Sequence, residues 1–426
     1  MQQGIFVEIA HTDERFYDAI IVGAGPSGAS CALFLSKAGK KVLLIDKARF
    51  PREKVCGDAF SGKSIGIARE LGLLSEFEHH PHAIIHGLTM VAPNGKAVTV
   101  PFPNANGVDF AGYTLQRFRT DNIFLSAALL DANIFVRQDF TVTGLIRDDA
   151  GAVCGVNGKD TQSGKDVSYK GRVVVGADGA ASTISRLVGL PNQPLSHVYT
   201  AIRGYWDNVE GLTENIELYF IDGVLPGYLW IFPLGNKRAN VGLGILSDDL
   251  IRRKKHPNAI LLEALQNHSQ IAPRMKDSKQ DGRIGAWAIP NGSYIKKNTG
   301  DGWLLVGDAA SLVDPFSGEG VGNALSSGKY AAQAIISAIE KVEGQRPLPA
   351  ISLAGYAKAV DDNLRPEMVD SYRLQRLSRN KFLLNIFIGK AADKPEFKQM
   401  VINMIGSDEE KKKTASPLFF LKLLLP

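Results

Sequence analysis

The alternation of apolar and polar positions predicts a strand, a turn, a helix and a second strand over residues 17–47. Residues 19–22 and 42–45 are short continuous apolar runs, which is typical of strands that are buried in a parallel sheet. A helical segment separates the two runs. The pattern therefore predicts the first βαβ unit of an α/β domain.

A different pattern begins near residue 83. Residues 84–110 alternate apolar and polar positions around Pro93, Asn94 and Gly95, which predicts a hairpin in a second, antiparallel sheet. Strand patterns dominate again over residues 198–245, whereas residues 301–340 predict a buried strand, a loop and a long helix.

Segments of the two patterns alternate along the chain, so neither predicted domain is continuous. We expect an α/β domain from residues 17–82, 111–190 and 284–345, and an inserted β-rich domain from residues 83–110 and 191–283. Residues 346–426 are expected to form a helical C-terminal region. Because the domains are interleaved, the cleft between them is the expected ligand site.

Composition is ordinary for a globular protein, with 45% hydrophobic and 22% charged residues and a net charge of +5. No run approaches about 18 uninterrupted apolar residues, so no spanning helix is expected, and the first residues lack a signal-peptide pattern. The three cysteines are far apart and odd in number, which argues against a disulfide framework and a metal site; we therefore expect the reducing cytoplasm. The mild charge and the lack of a basic–aromatic motif predict no nucleic-acid partner.

Three glycines follow the first predicted strand in the pattern G-x-G-x-x-G: Gly23, Gly25 and Gly28. The first permits a tight turn, the second lets the backbone approach a pyrophosphate, and the third lets the helix pack close to the strand. Free N–H groups at the helix start favour an anion. Asp46, which ends the second strand, can accept hydrogen bonds from ribose hydroxyls. In this context the motif predicts a dinucleotide site.

Two later segments repeat the order of apolar strand, glycine-bearing loop and aspartate. Residues 173–179 contain Asp178, and residues 303–308 end at Asp308. Ligands of open α/β sheets bind at the carboxyl ends of strands, so we expect the three segments to meet. Taken singly, each has a structural explanation, such as a helix cap for Asp308 or a turn for Gly176.

The segments GAGPSG, GADG and LLVGDAASLVDPFSGEGVGNA together resemble an FAD-dependent family that contains aromatic hydroxylases, flavin halogenases and geranylgeranyl reductases. The resemblance covers residues 17–345 and implies a Rossmann-like FAD-binding domain, an inserted antiparallel β-sheet substrate domain and a helical C-terminal region. The cofactor-binding residues that it implies are Gly23, Gly25, Pro26, Ser27, Gly28, Asp46, Lys47, Arg52, Cys56, Gly57, Arg117, Asp178, Gly179, Gly307, Asp308, Pro315, Gly318, Gly320, Val321 and Gly322.

The same resemblance places residues 315–322 against the flavin ring. Reduced flavin carries negative charge near N1 and the C2 oxygen, and the long helix after Gly320 would aim its positive end there. Stabilising that anion eases flavin reduction.

The β-rich insert indicates the subfamily. Residues 227–233, GYLWIFP, followed by a glycine pair at 242 and 244, resemble the Y-x-W-x-F-P…G-x-G pattern of geranylgeranyl reductases. Tyr228, Trp230 and Phe232 alternate along a strand and share one face. These residues are expected to form a wall for a long apolar substrate, although a packed core would use the same pattern.

The loop after Asp46 supports the same subfamily, because residues 51–57 resemble its P-x-x-x-x-C-G pattern. The resemblance places Cys56 near the flavin and makes Cys56 and Tyr228 the candidate catalytic groups. Asp58 and Ala59 depart from the family pattern, which usually has more glycine at this point. This departure implies that the pocket differs in shape from that of other family members.

The sequence therefore predicts an FAD-dependent oxidoreductase that reduces C=C bonds of an isoprenoid or related lipid by hydride transfer. The alternatives are a monooxygenase or halogenase, in which Lys54 or Lys63 would carry activated halogen, and a non-catalytic flavin-binding protein. No second G-x-G-x-x-G follows a strand, so a transient NAD(P)H or a ferredoxin would be the external reductant. Three lysines at 411–413 and the apolar residues 417–426 fit peripheral contact with an anionic membrane, or a tail packed on its own domain.

Overall fold

The structure is a computed structural model that describes residues 15–102 and 112–406. Within these residues the strands are β1 (Phe16–Tyr17), β2 (Ala19–Val22), β3 (Val42–Ile45), β4 (Ala59–Ser61), β5 (Ala83–Ile85), β6 (Gly87–Val91), β7 (Ala97–Pro101), β8 (Gly112–Thr114), β9 (Ile134–Arg137), β10 (Phe140–Arg147), β11 (Val153–Asp160), β12 (Asp166–Gly171), β13 (Val174–Gly176), β14 (Val198–Asp207), β15 (Asn215–Tyr219), β16 (Tyr228–Pro233), β17 (Ala239–Leu246), β18 (Lys279–Pro290), β19 (Thr299–Gly300) and β20 (Trp303–Leu305).

The α-helices of the same ranges are α1 (Pro26–Lys37), α2 (Gly62–Glu70), α3 (Leu74–Glu78), α4 (Arg117–Leu129), α5 (Thr183–Leu187), α6 (Ser247–Arg253), α7 (Pro257–Asn267), α8 (Ala272–Met275), α9 (Val321–Lys341), α10 (Ala350–Asn363), α11 (Arg365–Leu377), α12 (Lys381–Asp393) and α13 (Pro395–Gly406). None of the described helices combines the length and the apolar character needed to cross a membrane.

The α/β half is built on a six-stranded sheet with the order β19-β20-β13-β2-β3-β9. All its pairs are parallel except that of β19 with β20. Ile20 lies beside Val174, and Val174 lies beside Trp303, so strands from three distant parts of the chain are neighbours. Their apolar side chains are buried on both faces, as the continuous apolar runs predict.

Two layers complete this half. Helix α1 packs against α9 so closely that a Cβ on Gly328 would lie 2.3 Å from the carbonyl oxygen of Ser27. A separate four-stranded sheet, β1-β12-β11-β10, shares the same apolar core through Phe140, Val156 and Tyr169.

The inserted half is a seven-stranded sheet with the order β18-β14-β17-β16-β15-β6-β7, antiparallel except for the pair β15 and β6. Helices α7 and α8 bury Leu261, Leu265 and Met275 in one apolar cluster of this sheet. A second cluster holds Leu384 and Ile388 of α12 together with Trp230 and Phe232. Strand β18 extends across residue 284, the expected start of the last α/β segment, and pairs with β14.

The predicted fold class is confirmed: a Rossmann-like α/β domain carries an inserted, largely antiparallel sheet, and the chain continues into helices. The predicted hairpin is present as β6 and β7, although residues 103–110 of its segment lie outside the described residues. The basic and apolar stretches at 411–413 and 417–426 also lie outside them.

Candidate functional site

A cavity of about 1450 Å³ lies between the six-stranded and seven-stranded sheets. It extends from the carboxyl ends of β2, β3, β13 and β20 to the aromatic face of β16. The predicted site residues in its wall are Gly23, Gly25, Pro26, Ser27, Asp46, Lys47, Arg52, Cys56, Gly57, Arg117, Asp178, Gly179, Tyr228, Trp230, Phe232, Asp308, Gly318, Gly320 and Val321.

Four predicted site residues are not part of the cavity wall: Gly28, Gly307, Pro315 and Gly322. A Cβ on Gly28 would lie 1.8 Å from the carbonyl oxygen of Gly23, so this glycine lets α1 pack against the turn. Gly307 has a φ of 57°, and a Cβ on Gly322 would lie 2.5 Å from a neighbouring glutamate oxygen. The carbonyl of Pro315 accepts a hydrogen bond from a buried tyrosine. These residues shape the loops behind the wall.

The turn between β2 and α1 forms one end of the cavity. Gly23 has a φ of 109°, and a Cβ on Gly25 would meet only Arg52 Nη2, at 3.6 Å, so the space in front of the turn is open. No side chain caps the start of α1, so its first N–H groups face this space without an intrahelical partner. The carboxylate of Asp46 is 8% exposed and accepts a hydrogen bond of 2.8 Å from the amide of Ala24. Amide donors and a carboxylate in this arrangement fit the pyrophosphate and ribose of FAD.

The aspartates that follow β13 and β20 differ in their surroundings. Asp178 accepts hydrogen bonds from Ser182 Oγ at 2.6 Å and from the amides of Thr183 and Ile184 at 2.6 and 3.1 Å, so it holds the start of α5. Burial raises the pKa of Asp178, against these hydrogen bonds, which lower it. The carboxylate of Asp308 has no hydrogen-bond partner among residues 15–102 and 112–406. It is therefore available for a hydroxyl group of the cofactor.

An arginine pair lies beside Cys56. Arg117 donates to both carboxylate oxygens of Asp121, at 2.6 and 2.9 Å, and Arg52 lies 3.1 Å from the same carboxylate. The side chain of Cys56 lies close enough to Arg117 to influence the charge of its guanidinium. Burial, the largest single influence, would lower the pKa of Arg117, but Asp121 and Cys56 together outweigh it and raise that pKa. Asp121 thus fixes Arg117 next to Cys56. Asp121 is four residues after Arg117 on helix α4, and inspection of the sequence could have noted this spacing.

Asp58 anchors the loop that carries Cys56, a role that sequence reasoning missed. Its carboxylate is 1% exposed and accepts hydrogen bonds from the Arg117 amide at 3.0 Å, from Tyr205 Oη at 2.8 Å and from Asn240 Nδ2 at 2.7 Å. Asn240 also donates to the Cys56 carbonyl at 2.7 Å. The loop is thereby attached to the seven-stranded sheet. The one available signal was an asparagine inside the apolar strand β17.

The aromatic wall belongs both to the cavity and to the core of the insert. The rings of Tyr228 and Trp230 are 6.3 Å apart, and those of Trp230 and Phe232 are 6.2 Å apart. Trp230 and Phe232 are each 7% exposed and still contribute to the cavity wall. Tyr228 donates its hydroxyl hydrogen to the carbonyl of Ser317, and burial raises its pKa. A Cβ on Gly57 would approach the Phe232 ring to 3.0 Å, so a larger residue there requires that ring to shift.

The loop before α9 forms a further part of the cavity wall. Asp314 accepts hydrogen bonds from the amides of Phe316 and Ser317 at 3.0 and 2.7 Å, which fixes the loop. No side chain caps α9, and Gly320 and Val321 at its start are in the cavity wall. The positive end of this helix can therefore act on a ligand in the cavity.

Lys54 and Trp287 are two further residues of the wall. The Lys54 Nζ lies 3.9 Å from the centre of the Trp287 ring. The sequence made Lys54 a candidate halogen carrier of the halogenase alternative and, with Arg52, a candidate partner of the FAD phosphates; Trp287 lies in a segment that only partly matches the halogenase motif. Within the described ranges, the side chains include no group of three or more His, Cys, Asp or Glu that could hold a metal ion.

Comparison of the sequence with known families gives a match of residues 17–347 to a family described as "FAD binding domain". Menaquinone reductase of Mycolicibacterium smegmatis is 31% identical over 326 residues, which cover 75% of this chain and 76% of that protein. Digeranylgeranylglycerophospholipid reductase 2 of Methanosphaera stadtmanae is 33% identical over 330 residues, which cover 76% of this chain and 78% of that protein.

Two solved structures show the same fold. A geranylgeranyl bacteriochlorophyll reductase-like protein from Thermoplasma acidophilum superimposes with a TM-score of 0.82 at 24% identity, covering 96% of this chain and 98% of that chain. A triple mutant of a flavin-dependent brominase superimposes with a TM-score of 0.76 at 21% identity, covering 95% and 98%.

Proposed function

Because this chain belongs to the FAD-binding domain family and is an FAD-dependent oxidoreductase, we propose that it reduces carbon–carbon double bonds in the isoprenoid chain of a lipid. Its relatives are named as reductases of menaquinone and of a digeranylgeranyl phospholipid. Both kinds of molecule carry isoprenoid chains but differ in their head groups, so the isoprenoid chain is the part that the two substrates share.

One observation carries this proposal: a single cavity joins the glycine turn at Gly25 to the aromatic wall at Trp230. Bound FAD, once reduced, supplies a hydride. The protein supplies a binding site for its adenosine and pyrophosphate at one end and an apolar surface at the other. An isolated double bond offers no charged group to hold, so alignment and water exclusion are the main contributions of the residues.

The residues of the cavity wall would have different roles. Asp46 and the start of α1 would hold the adenosine ribose and pyrophosphate, and Asp308 would accept a hydrogen bond from the ribityl chain. The start of α9 would stabilise negative charge on the reduced ring. Tyr228, Trp230 and Phe232 would line the path of the lipid chain.

The external reductant and the cellular location complete the proposal. A nicotinamide nucleotide or a ferredoxin that binds transiently would deliver the electrons. Peripheral contact with an anionic membrane would bring the enzyme to its lipid, and the basic and apolar C-terminal stretches that suggest this contact lie outside the described residues.

The proposal is tested with FAD-loaded protein that is reduced chemically without air and then mixed with digeranylgeranyl phospholipid or menaquinone in micelles. We expect the visible absorbance of oxidised flavin to return, and the product to gain two hydrogens for each double bond reduced. Phospholipid with saturated chains is the matched control and should leave the flavin reduced.

Oxygen consumption with a hydroxylated or halogenated product, and no reaction with lipid in the absence of air, would overturn the proposal. That result would favour the monooxygenase or halogenase alternative, because a flavin-dependent brominase has the same fold.

A further inference from the structure

Lys54 lies in the cavity wall between the loop that carries Cys56 and the edge strand β18. Its Nζ is centred over the face of Trp287, at 3.9 Å, and donates a weak hydrogen bond of 3.3 Å to the Val55 carbonyl. The side chain is half-buried. The carbonyl of Lys54 accepts a hydrogen bond of 3.2 Å from Arg203, which holds the backbone in place.

The charge of Lys54 is not matched by a carboxylate. No described Asp or Glu forms an ion pair with its Nζ, although Arg52 and Arg117 nearby share Asp121, and Arg203 pairs with Glu53 at 3.0 Å. An aromatic face stabilises an ammonium group less than a carboxylate does. Lys54 is thus held in the wall as a cation that can release a proton.

The electrostatic surroundings favour this release. Burial and the Arg117 guanidinium lower the pKa of Lys54 to about 8, against the opposing effects of Asp308, Cys56 and Asp121. These four groups come from the Cys56 loop, from α4 and from the turn after β20, so Lys54 lies where the three elements meet. A pKa of about 8 leaves most of the group protonated at neutral pH and makes it a stronger acid than an ordinary lysine.

Tyr228, one of the two candidate catalytic groups that sequence analysis named in this wall, is less suited to donate a proton. The Tyr228 hydroxyl already donates to the Ser317 carbonyl, and burial raises its pKa.

We propose that Lys54 is the catalytic residue that gives a proton to the alkene carbon that does not receive the hydride. The inference rests on the proposed reductase function. Reduction adds two electrons and two hydrogens: the hydride comes from reduced FAD, and the proton comes from the ammonium group. One N–H bond of Lys54 breaks as one C–H bond forms, and the neutral amine then regains a proton from water. FAD ends oxidised, and the double bond becomes a single bond.

The first test needs no substrate. In FAD-loaded protein, deprotonation of Lys54 removes a cation from the face of Trp287, so tryptophan fluorescence should change with a midpoint near pH 8. The change should be absent from Lys54→Met and Trp287→Phe. Lys297→Met is the matched control, because Lys297 also lies over a tryptophan, Trp303 at 6.0 Å, but outside the cavity wall. Identical titrations of the wild type and Lys54→Met would overturn the assignment.

The second test uses the anaerobic reaction of reduced enzyme with lipid at a series of pH values. We expect the wild-type rate to fall as the pH rises through about 8, since the protonated form is the active one. Lys54→Met should be slower by about 10²-fold or more, with no dependence on pH in this range, while flavin content and chemical reduction stay unchanged. Lys297→Met should match the wild type.

Lys54→Arg separates proton donation from charge. Arginine keeps the positive charge but is too weak an acid to donate, so this variant should remain as slow as Lys54→Met. Recovery of the wild-type rate by arginine would show an electrostatic role and overturn the proposal. Wild-type enzyme that reacts with neither lipid overturns the proposed function and this role together. A reactive wild type that Lys54→Met equals overturns the role of Lys54 alone.

Discussion

Replacement of Asp58 by alanine tests whether one buried carboxylate attaches the Cys56 loop to the inserted sheet. The side chain is 1% exposed and accepts hydrogen bonds from Arg117, Tyr205 and Asn240, which belong to α4, β14 and β17. The substitution removes all three acceptor contacts at once. We expect the folded state to lose stability and the loop to lose its fixed position.

The size of the loss in unfolding free energy depends on which hydrogen-bond donors are left without an acceptor. The Arg117 amide and the Tyr205 hydroxyl lose the acceptor that the described residues provide, whereas Asn240 keeps the Cys56 carbonyl. A buried donor without an acceptor costs about 1–3 kcal/mol, so two cost about 2–6 kcal/mol. Because the variant no longer buries a carboxylate, part of this is offset, and we expect a net loss of about 3 kcal/mol.

The assay is equilibrium urea unfolding of the FAD-loaded protein. Asp148→Ala is the matched control, because Asp148 also accepts two amide hydrogen bonds, at 3.0 and 2.8 Å, but in an exposed turn where water replaces it. We expect that control to lose about 1 kcal/mol or less. Equal losses for the two variants would refute the reasoning.

The same carboxylate predicts a pH dependence. Burial raises the pKa of Asp58, although Arg203 and its hydrogen bonds oppose the rise. A raised folded-state pKa contributes stability that is complete below the unfolded value of about 3.9 and is lost as the pH rises through the folded value. The unfolding free energy of the wild type relative to Asp58→Asn should therefore decline as the pH rises above about 4. A difference that stays constant with pH would contradict this.

Three further substitutions separate the parts of the site. Gly28→Ala forces a Cβ to within 1.8 Å of the Gly23 carbonyl oxygen, so the protein should purify without flavin, as visible absorbance would show; a yellow variant would contradict the fit at this turn. Asp308→Ala should weaken FAD binding by about 2 kcal/mol, roughly thirtyfold in Kd by calorimetric titration, and leave the unfolding of the apoprotein unchanged. Gly57→Ala brings a methyl group to 3.0 Å from Phe232 and should cost about 1–3 kcal/mol of stability through overpacking while FAD stays bound. Loss of flavin from this variant would place Gly57 nearer the cofactor.

The local parts of the fold could be predicted from the sequence because they depend on neighbouring residues. Continuous apolar runs gave β2 and β3 with their observed bounds, and the alternation around Gly95 gave the hairpin of β6 and β7. The family resemblance, confirmed by the family match, supplied FAD. It also named residues that now lie around one cavity, among them Asp46 and Trp230.

Long-range pairing could not be predicted in the same way. The four-stranded sheet joins Phe16 and Tyr17 to Lys170 and Gly171, and no local pattern specifies that register. The hydrogen bonds of Asp58 depend on strands that arrive much later in the chain. For the same reason, sequence analysis took Asp58 as a departure from the family pattern, whereas the structure shows it buried behind the wall.

The order of strands in the six-stranded sheet also governs how the chain can be synthesised. Strand β13 is complete at Gly176, but its outer neighbour β20 begins only at Trp303. The second and larger part of the insert, residues 191–283, must therefore be synthesised while one edge of a fully apolar strand has no neighbour. Such open edges can pair with other chains, so we expect the nascent protein to be prone to aggregation during this interval. Fragments that stop short of β20 should aggregate instead of acquiring flavin.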